Sequence, residues 1–107
     1  MLELNEIIEI LKSIDSKYSG IKLGIAGSYA NGKQRKKSDL DVVIDGDSTR
    51  LDIEDDIKGA FKVKVDILWV ELMRQEDEEL DAFSIENDLP INEYSAFKTV
   101  MQEVQWV

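Results

Sequence analysis

The sequence predicts a small mixed α/β fold, in which a β-sheet is packed with helices, and three observations carry that prediction. Segments with apolar residues at helical spacing alternate with short segments whose apolar residues recur at every second position. The strand-like segments run into turns that carry glycine or aspartate. The 107 residues are 43 % hydrophobic and 34 % charged with a single proline, a composition expected of one folded domain spanning residues 1–107.

Taken in order, Leu4, Ile7, Ile8, Leu11, Ile14 and Tyr18 follow the spacing of a first helix, and Gly20 stands where a helix commonly ends. Ile21, Leu23 and Ile25 alternate with Lys22, Gly24 and Ala26 as a first strand, which feeds the segment Gly27-Ser28-Tyr29-Ala30-Asn31-Gly32. Leu40, Val42 and Ile44 alternate with Asp39, Asp41 and Val43 as a second strand, and Asp45-Gly46-Asp47 closes it. Ser48 or Thr49 is placed to cap a helix that carries Ile53, Ile57, Ala60 and Phe61, with Asp52 completing a box-like cap. Val63, Val65, Ile67 and Trp69 make a third strand. Leu72, Met73, Leu80 and Phe83 then mark a strongly acidic helix, and from about Asn92 a last helix carries Tyr94, Phe97, Met101 and Val104. The predicted order is α-β-β-α-β-α-α, without internal repeat or linker.

Composition removes several chemistries. The chain has no cysteine and no histidine, so thiolate or imidazole metal sites, disulfides and a Ser-His-Asp triad are all ruled out. Any metal must sit on oxygen ligands, which favours Mg2+ or Mn2+ where phosphate is the other partner. A net charge of −10 works against binding duplex nucleic acid. Within that acidic background Lys33, Arg35, Lys36 and Lys37 form a basic run, read either as a solvated loop or as a phosphate contact. No apolar run is long enough for a membrane span, and Met1-Leu2-Glu3-Leu4-Asn5-Glu6 lacks the basic start of a signal peptide, so a cytoplasmic location is expected.

On a strand, residues two apart face the same way, so Asp39 and Asp41 are expected to project side by side, opposite Leu40, Val42 and Ile44. Like charges this close call for a cation. Asp66, on the polar side of the third strand, supplies a third carboxylate able to share an ion and to take a proton from an attacking hydroxyl. An isolated Asp-x-Asp reads more readily as a half-exposed surface pair than as a site; the loop upstream shifts that balance. Gly27 allows a close backbone approach to phosphate, Ser28 offers a hydroxyl and an amide, and Gly32 permits the bend back towards the carboxylates. A P-loop reading of Gly27 to Gln34 fails because Gln34 replaces the hydroxyl that would bind magnesium. A calcium loop over Asp39 to Asp47 fails at Val43 and for want of a glutamate at the twelfth place. Trp69, Trp106, Phe61, Phe83 and Phe97 read as core or partner-interface residues, and Tyr29 as packing.

The pattern Gly27-Ser28-x-x-x-Gly32-x-x-x-x-x-Ser38-Asp39-x-Asp41, followed by Asp66 on a later strand, resembles the minimal nucleotidyltransferases of the polymerase-β superfamily. The resemblance covers about Ile21 to Trp69 well and the flanking helices loosely. It implies a polymerase-β-like fold, catalytic and metal-binding roles for Asp39, Asp41 and Asp66, and nucleotide contacts from Gly27, Ser28, Gly32, Lys33 and Ser38. Two Mg2+ ions, with Mn2+ as the alternative, and ATP as substrate follow from the same resemblance. Asn31 stands where many relatives carry a basic residue, which leaves Lys33, Arg35 or Lys36 as candidates for that phosphate contact. Minimal domains of this size resemble the antitoxins of two-gene systems, which implies transfer of AMP to a hydroxyl of a HEPN-type toxin. Two other readings stand beside it. One is a nucleotide-binding antitoxin of little turnover whose acidic helix masks a basic partner; the other is a small-molecule nucleotidyltransferase with its acceptor pocket between subunits of an oligomer.

Overall fold

The computed structural model describes residues 2–35 and 38–107, so Lys36 and Lys37 of the basic run lie outside the described residues. The elements are α1 (Leu4–Asp15), β1 (Lys22–Ala26), α2 (Gly27–Ala30), β2 (Leu40–Asp45), α3 (Leu51–Ala60), β3 (Val65–Trp69), α4 (Val70–Glu86), α5 (Ala96–Glu103) and β4 (Gln105–Trp106). The strands form one mixed sheet in the order β3-β2-β1-β4. β1 runs antiparallel to both β2 and β4, whereas β2 and β3 are parallel and joined through α3.

Alternation along the strands divides the sheet into two faces. Leu23, Ile25, Leu40, Val42, Ile44, Val65 and Trp69 pack with Ile7, Leu11 and Ile14 of α1 and Ile53 and Ile57 of α3 in the main core. The other face carries Ala26 and Val43, which meet Val70 of α4 and the partly buried Met73, Phe97, Val100 and Val104. The carboxylate-bearing positions Asp41 and Asp66 share this second face with Val43 and Leu68. Helices cover both faces, as befits a small mixed sheet.

The structure departs from the sequence prediction at several places, and the last helix, α5, begins at Ala96 rather than near Asn92, leaving Tyr94 outside it. α1 stops at Asp15, and the Tyr18 hydroxyl beyond it donates to the Asp56 carboxylate of α3. Gly20 adopts a left-handed φ of 76° in the turn before β1 rather than ending the helix. Neither Ser48 nor Thr49 caps α3: the Ser48 amide donates to Glu71 at 2.6 Å, and Thr49 donates from its amide and hydroxyl to Asp47, leaving Arg50 at the cap position. α2 and β4 were both unpredicted, because four and two residues are too few to show a period. β4 can pair with β1 only because Gly24 lacks a side chain; a Cβ there would stand 2.6 Å from Val104 and 2.9 Å from Trp106.

Candidate active site

β1 and β2 bring the glycine segment and the acidic strand together. Ala26 pairs with Asp41, so Gly27 begins the next turn directly beside that carboxylate. Gly27 has a φ of 71°, and a Cβ on it would lie 2.5 Å from Asp41 Oδ2. The missing side chain therefore serves two ends at once, permitting left-handed backbone and admitting the carboxylate. Ser28 follows in α2, and its carbonyl accepts the Lys33 amide at 2.9 Å, while Asn31 Oδ1 accepts the same amide at 3.0 Å. Gly32, at φ 75°, turns the chain between them. Gln105 of β4 donates its side-chain amide to the Ala30 carbonyl, which ties the end of α2 to the far edge of the sheet.

β3 brings in the third carboxylate. The parallel register sets Asp41 opposite Asp66, with Leu40 opposite Val65. Asp41 is held above the ordinary carboxylate range by partial burial, then by the charges of Asp66 and Asp39. Asp39 precedes β2 by one residue, and its carboxylate stands 3.8 Å from Lys64 Nζ. Lys64 had no place in the sequence prediction. Its signal was its position two residues before Asp66, which puts it on the same face once β2 and β3 are neighbours.

The other predicted residues lie on the rim. The Ser38 hydroxyl accepts the Arg35 amide at 2.7 Å, and the Ser38 amide donates to the Arg35 carbonyl at 2.9 Å, so Ser38 is tied back to Arg35. Lys33 is exposed. Tyr29 is buried at 1 % exposure and packs in the main core. A groove of about 430 Å3, lined in part by Leu2, Ile10, Phe61 and Val63, lies on the α1 side and includes none of these residues. The candidate site lies instead at one end of the sheet, with Asp41 and Asp66 partly buried.

The donor set suits a hard divalent cation. Every available donor is a carboxylate oxygen, and the repulsion that raises the Asp41 pKa is what such a cation would relieve. Among the described residues no three acidic side chains converge as they stand. Asp41 and Asp66 are in register, while Asp39 leans on Lys64. That ion pair is exposed, and an exposed pair is worth at most about 1 kcal/mol, so Asp39 can turn towards the other two.

The chain is similar to several known proteins. The nucleotidyltransferase domain family matches residues 4–92, which takes in α1 to α4 and leaves out α5 and β4. A chain of Methanocaldococcus jannaschii named "Putative protein adenylyltransferase" is 32 % identical over 64 % of this chain and 90 % of its own length. A structure of the toxin-antitoxin MntA-HpeT in mutant form is similar in fold, with a TM-score of 0.53 and 14 % identity over 98 % of this chain and 71 % of that one. A toxin-antitoxin structure with AMP-PNP matches at a TM-score of 0.46 and 24 % identity over 65 % of this chain, which spans 59 % of it.

Proposed function

The chain belongs to the nucleotidyltransferase domain family, and from that premise we propose that its 107 residues act as one domain that transfers AMP from ATP to a hydroxyl of a partner protein. The observation that carries this reading is the meeting of Gly27 with Asp41 and of Asp41 with Asp66, which sets a glycine turn beside paired carboxylates. Asp39, Asp41 and Asp66 would hold two Mg2+ ions, which when bound offset charge on the attacking and leaving oxygens. The amide and hydroxyl of Ser28, with the unobstructed backbone at Gly27 and the bend at Gly32, would bind the triphosphate. Lys33 and Ser38 flank it. Asp66 would take the proton of the acceptor hydroxyl as its oxygen bonds to the α-phosphorus and pyrophosphate leaves. The motif resemblance makes a HEPN-type toxin the proposed acceptor, and a chain of similar fold belongs to a toxin-antitoxin.

A second reading, masking of a partner with little turnover, draws support from Asn31 and from the acidic helix that holds Glu76, Asp77, Glu78 and Glu79. The two are separable. Calorimetry with a non-hydrolysable ATP analogue and Mg2+ should show binding to the native chain that Asp39→Asn/Asp41→Asn abolishes. Asp66→Ala should end transfer to the partner while leaving partner affinity intact. Neutralisation of the toxin that survives Asp66→Ala would replace transfer with masking, and no nucleotide binding to the native chain would remove the enzymatic reading.

A further inference from the structure

The distal half of α4 is folded but leaves its apolar flank uncovered. Of its 17 residues only Val70 and Asp77 are buried, so the stretch 78–86 has no buried side chain. Yet that stretch and the connection after it hold Leu80, Phe83, Ile85, Leu89, Ile91 and Tyr94, with Phe83 at 58 %, Ile85 at 68 % and Tyr94 at 85 % exposure. Leu72, itself 51 % exposed, lies about three helical turns before Phe83 and so on the same flank. The connection folds back along the helix: the Leu89 amide donates to the Ser84 carbonyl at 2.8 Å, and the Asn92 carbonyl accepts from Lys98 Nζ at 2.9 Å. The same ammonium is paired with Asp77 and Asp81. These apolar side chains therefore sit on one braced lobe. The molecule extends 46 × 31 × 18 Å, and its radius of gyration of 15.1 Å exceeds the roughly 13 Å of a compact domain of this length.

Charge selects what could cover this lobe. Residues 71–93 hold nine acidic side chains and one basic one, Arg74. Glu76, Glu78, Glu79, Glu86, Asp88 and Glu93 are all exposed around the apolar positions. A second copy pairing through the same face would set these carboxylates against one another, and an anionic bilayer or a nucleic acid would be repelled. An exposed apolar patch with a polar rim marks a protein interface, and here the complementary rim is cationic.

We propose that the distal half of α4 and its connection to α5 form the docking surface for a protein partner that presents apolar side chains within a basic surface. This rests on the protein-partner reading given above but not on transfer itself. The test uses synthetic helical peptides: one with a leucine stripe flanked by lysines, one with the same stripe flanked by glutamates, and one with lysines but serines for leucines. The native chain should bind the leucine-lysine peptide about tenfold or more tighter than either control. Leu72→Ser/Phe83→Ser, which changes only exposed side chains, should lose that preference with an unchanged melting temperature. Equal binding by the native and variant chains overturns the proposal. So does sedimentation showing that the native chain self-associates and the variant does not, because the occupant is then a second copy. Asp41→Asn separates the two levels, since docking predicts that it loses nucleotide yet keeps the peptide. Nucleotide binding without peptide binding removes the docking surface alone.

Discussion

Asp41 is crowded by Asp66 across the sheet, by Asp39 two residues before it and by the backbone of Gly27. Burial and these charges raise its pKa, so the folded chain holds that proton more tightly than the unfolded chain does. Ionised Asp41 therefore subtracts stability at pH values above its folded pKa, and the deficit vanishes as pH falls through that value towards the unfolded one. Without divalent metal at neutral pH, Asp41→Asn should melt above the native chain, and scanning calorimetry at falling pH should show the gap close. With Mg2+ the native chain should gain stability and the variant should not. Transfer by the variant should drop by about a hundredfold or more, on the scale of losing one electrostatic stabiliser of a transition state. A variant no more stable than the native chain without metal would mean that the three carboxylates do not repel one another in solution. Lys64 tempers this repulsion at Asp39 only, because it faces the outer member of the cluster.

Among the elements, β4 is the least expected and the most informative. It pairs Gln105 and Trp106 with Ile25 and Gly24, and the Val107 amide adds a bond to the Leu23 carbonyl at 2.9 Å. Lys22 lies 4.5 Å over the Trp106 ring and shields it from the edge. Through Gln105 this short strand also reaches the end of α2, so the stretch beyond the family match braces the turn that follows β1. Gly24→Ala should displace Val104 and Trp106 and lower stability by about 1–3 kcal/mol in urea denaturation, the usual penalty of overpacking. Amide exchange should quicken at Val107 more than at Leu40, which bonds to the Lys64 carbonyl on the far side of the sheet. Uniform loss of protection instead would mean that β4 is integral to the whole sheet rather than a brace on its edge.

At the scale of the molecule, 23 acidic side chains against 13 basic ones set the terms. The excess is concentrated along α4 and its connection, where nine carboxylates meet one guanidinium. Self-repulsion of this kind weakens the compact state and is screened by salt, with a Debye length of about 30 Å at 0.01 M and 8 Å at 0.15 M. The melting temperature should therefore rise as sodium chloride goes from low to physiological concentration, measured by circular dichroism. A flat or falling curve would mean that attractive pairs such as those of Lys98 with Asp77 and Asp81 outweigh the excess. No helix is long and apolar enough to cross a membrane among the described residues, and the exposed large apolar side chains, Leu51 of α3 apart, gather on α4 and its connection.

By itself the sequence determined the mixed α/β class, the seven longer helices and strands that carry a clear period, and the placing of Asp41 opposite the apolar face of its strand. Those properties are local: spacing of 3.6 or 2 residues and a turn-forming glycine act within a few positions of the chain. Only the tertiary structure decided that Asp41 faces Asp66, that Lys64 takes Asp39, that Gly24 admits a fourth strand and that Phe83 is left uncovered. Each of these depends on which distant segments become neighbours and in what register, and a one-residue slip in β3 would send Asp66 to the opposite face. Periodicity states which side of an element seeks cover, whereas the closing of the chain on itself settles what covers it.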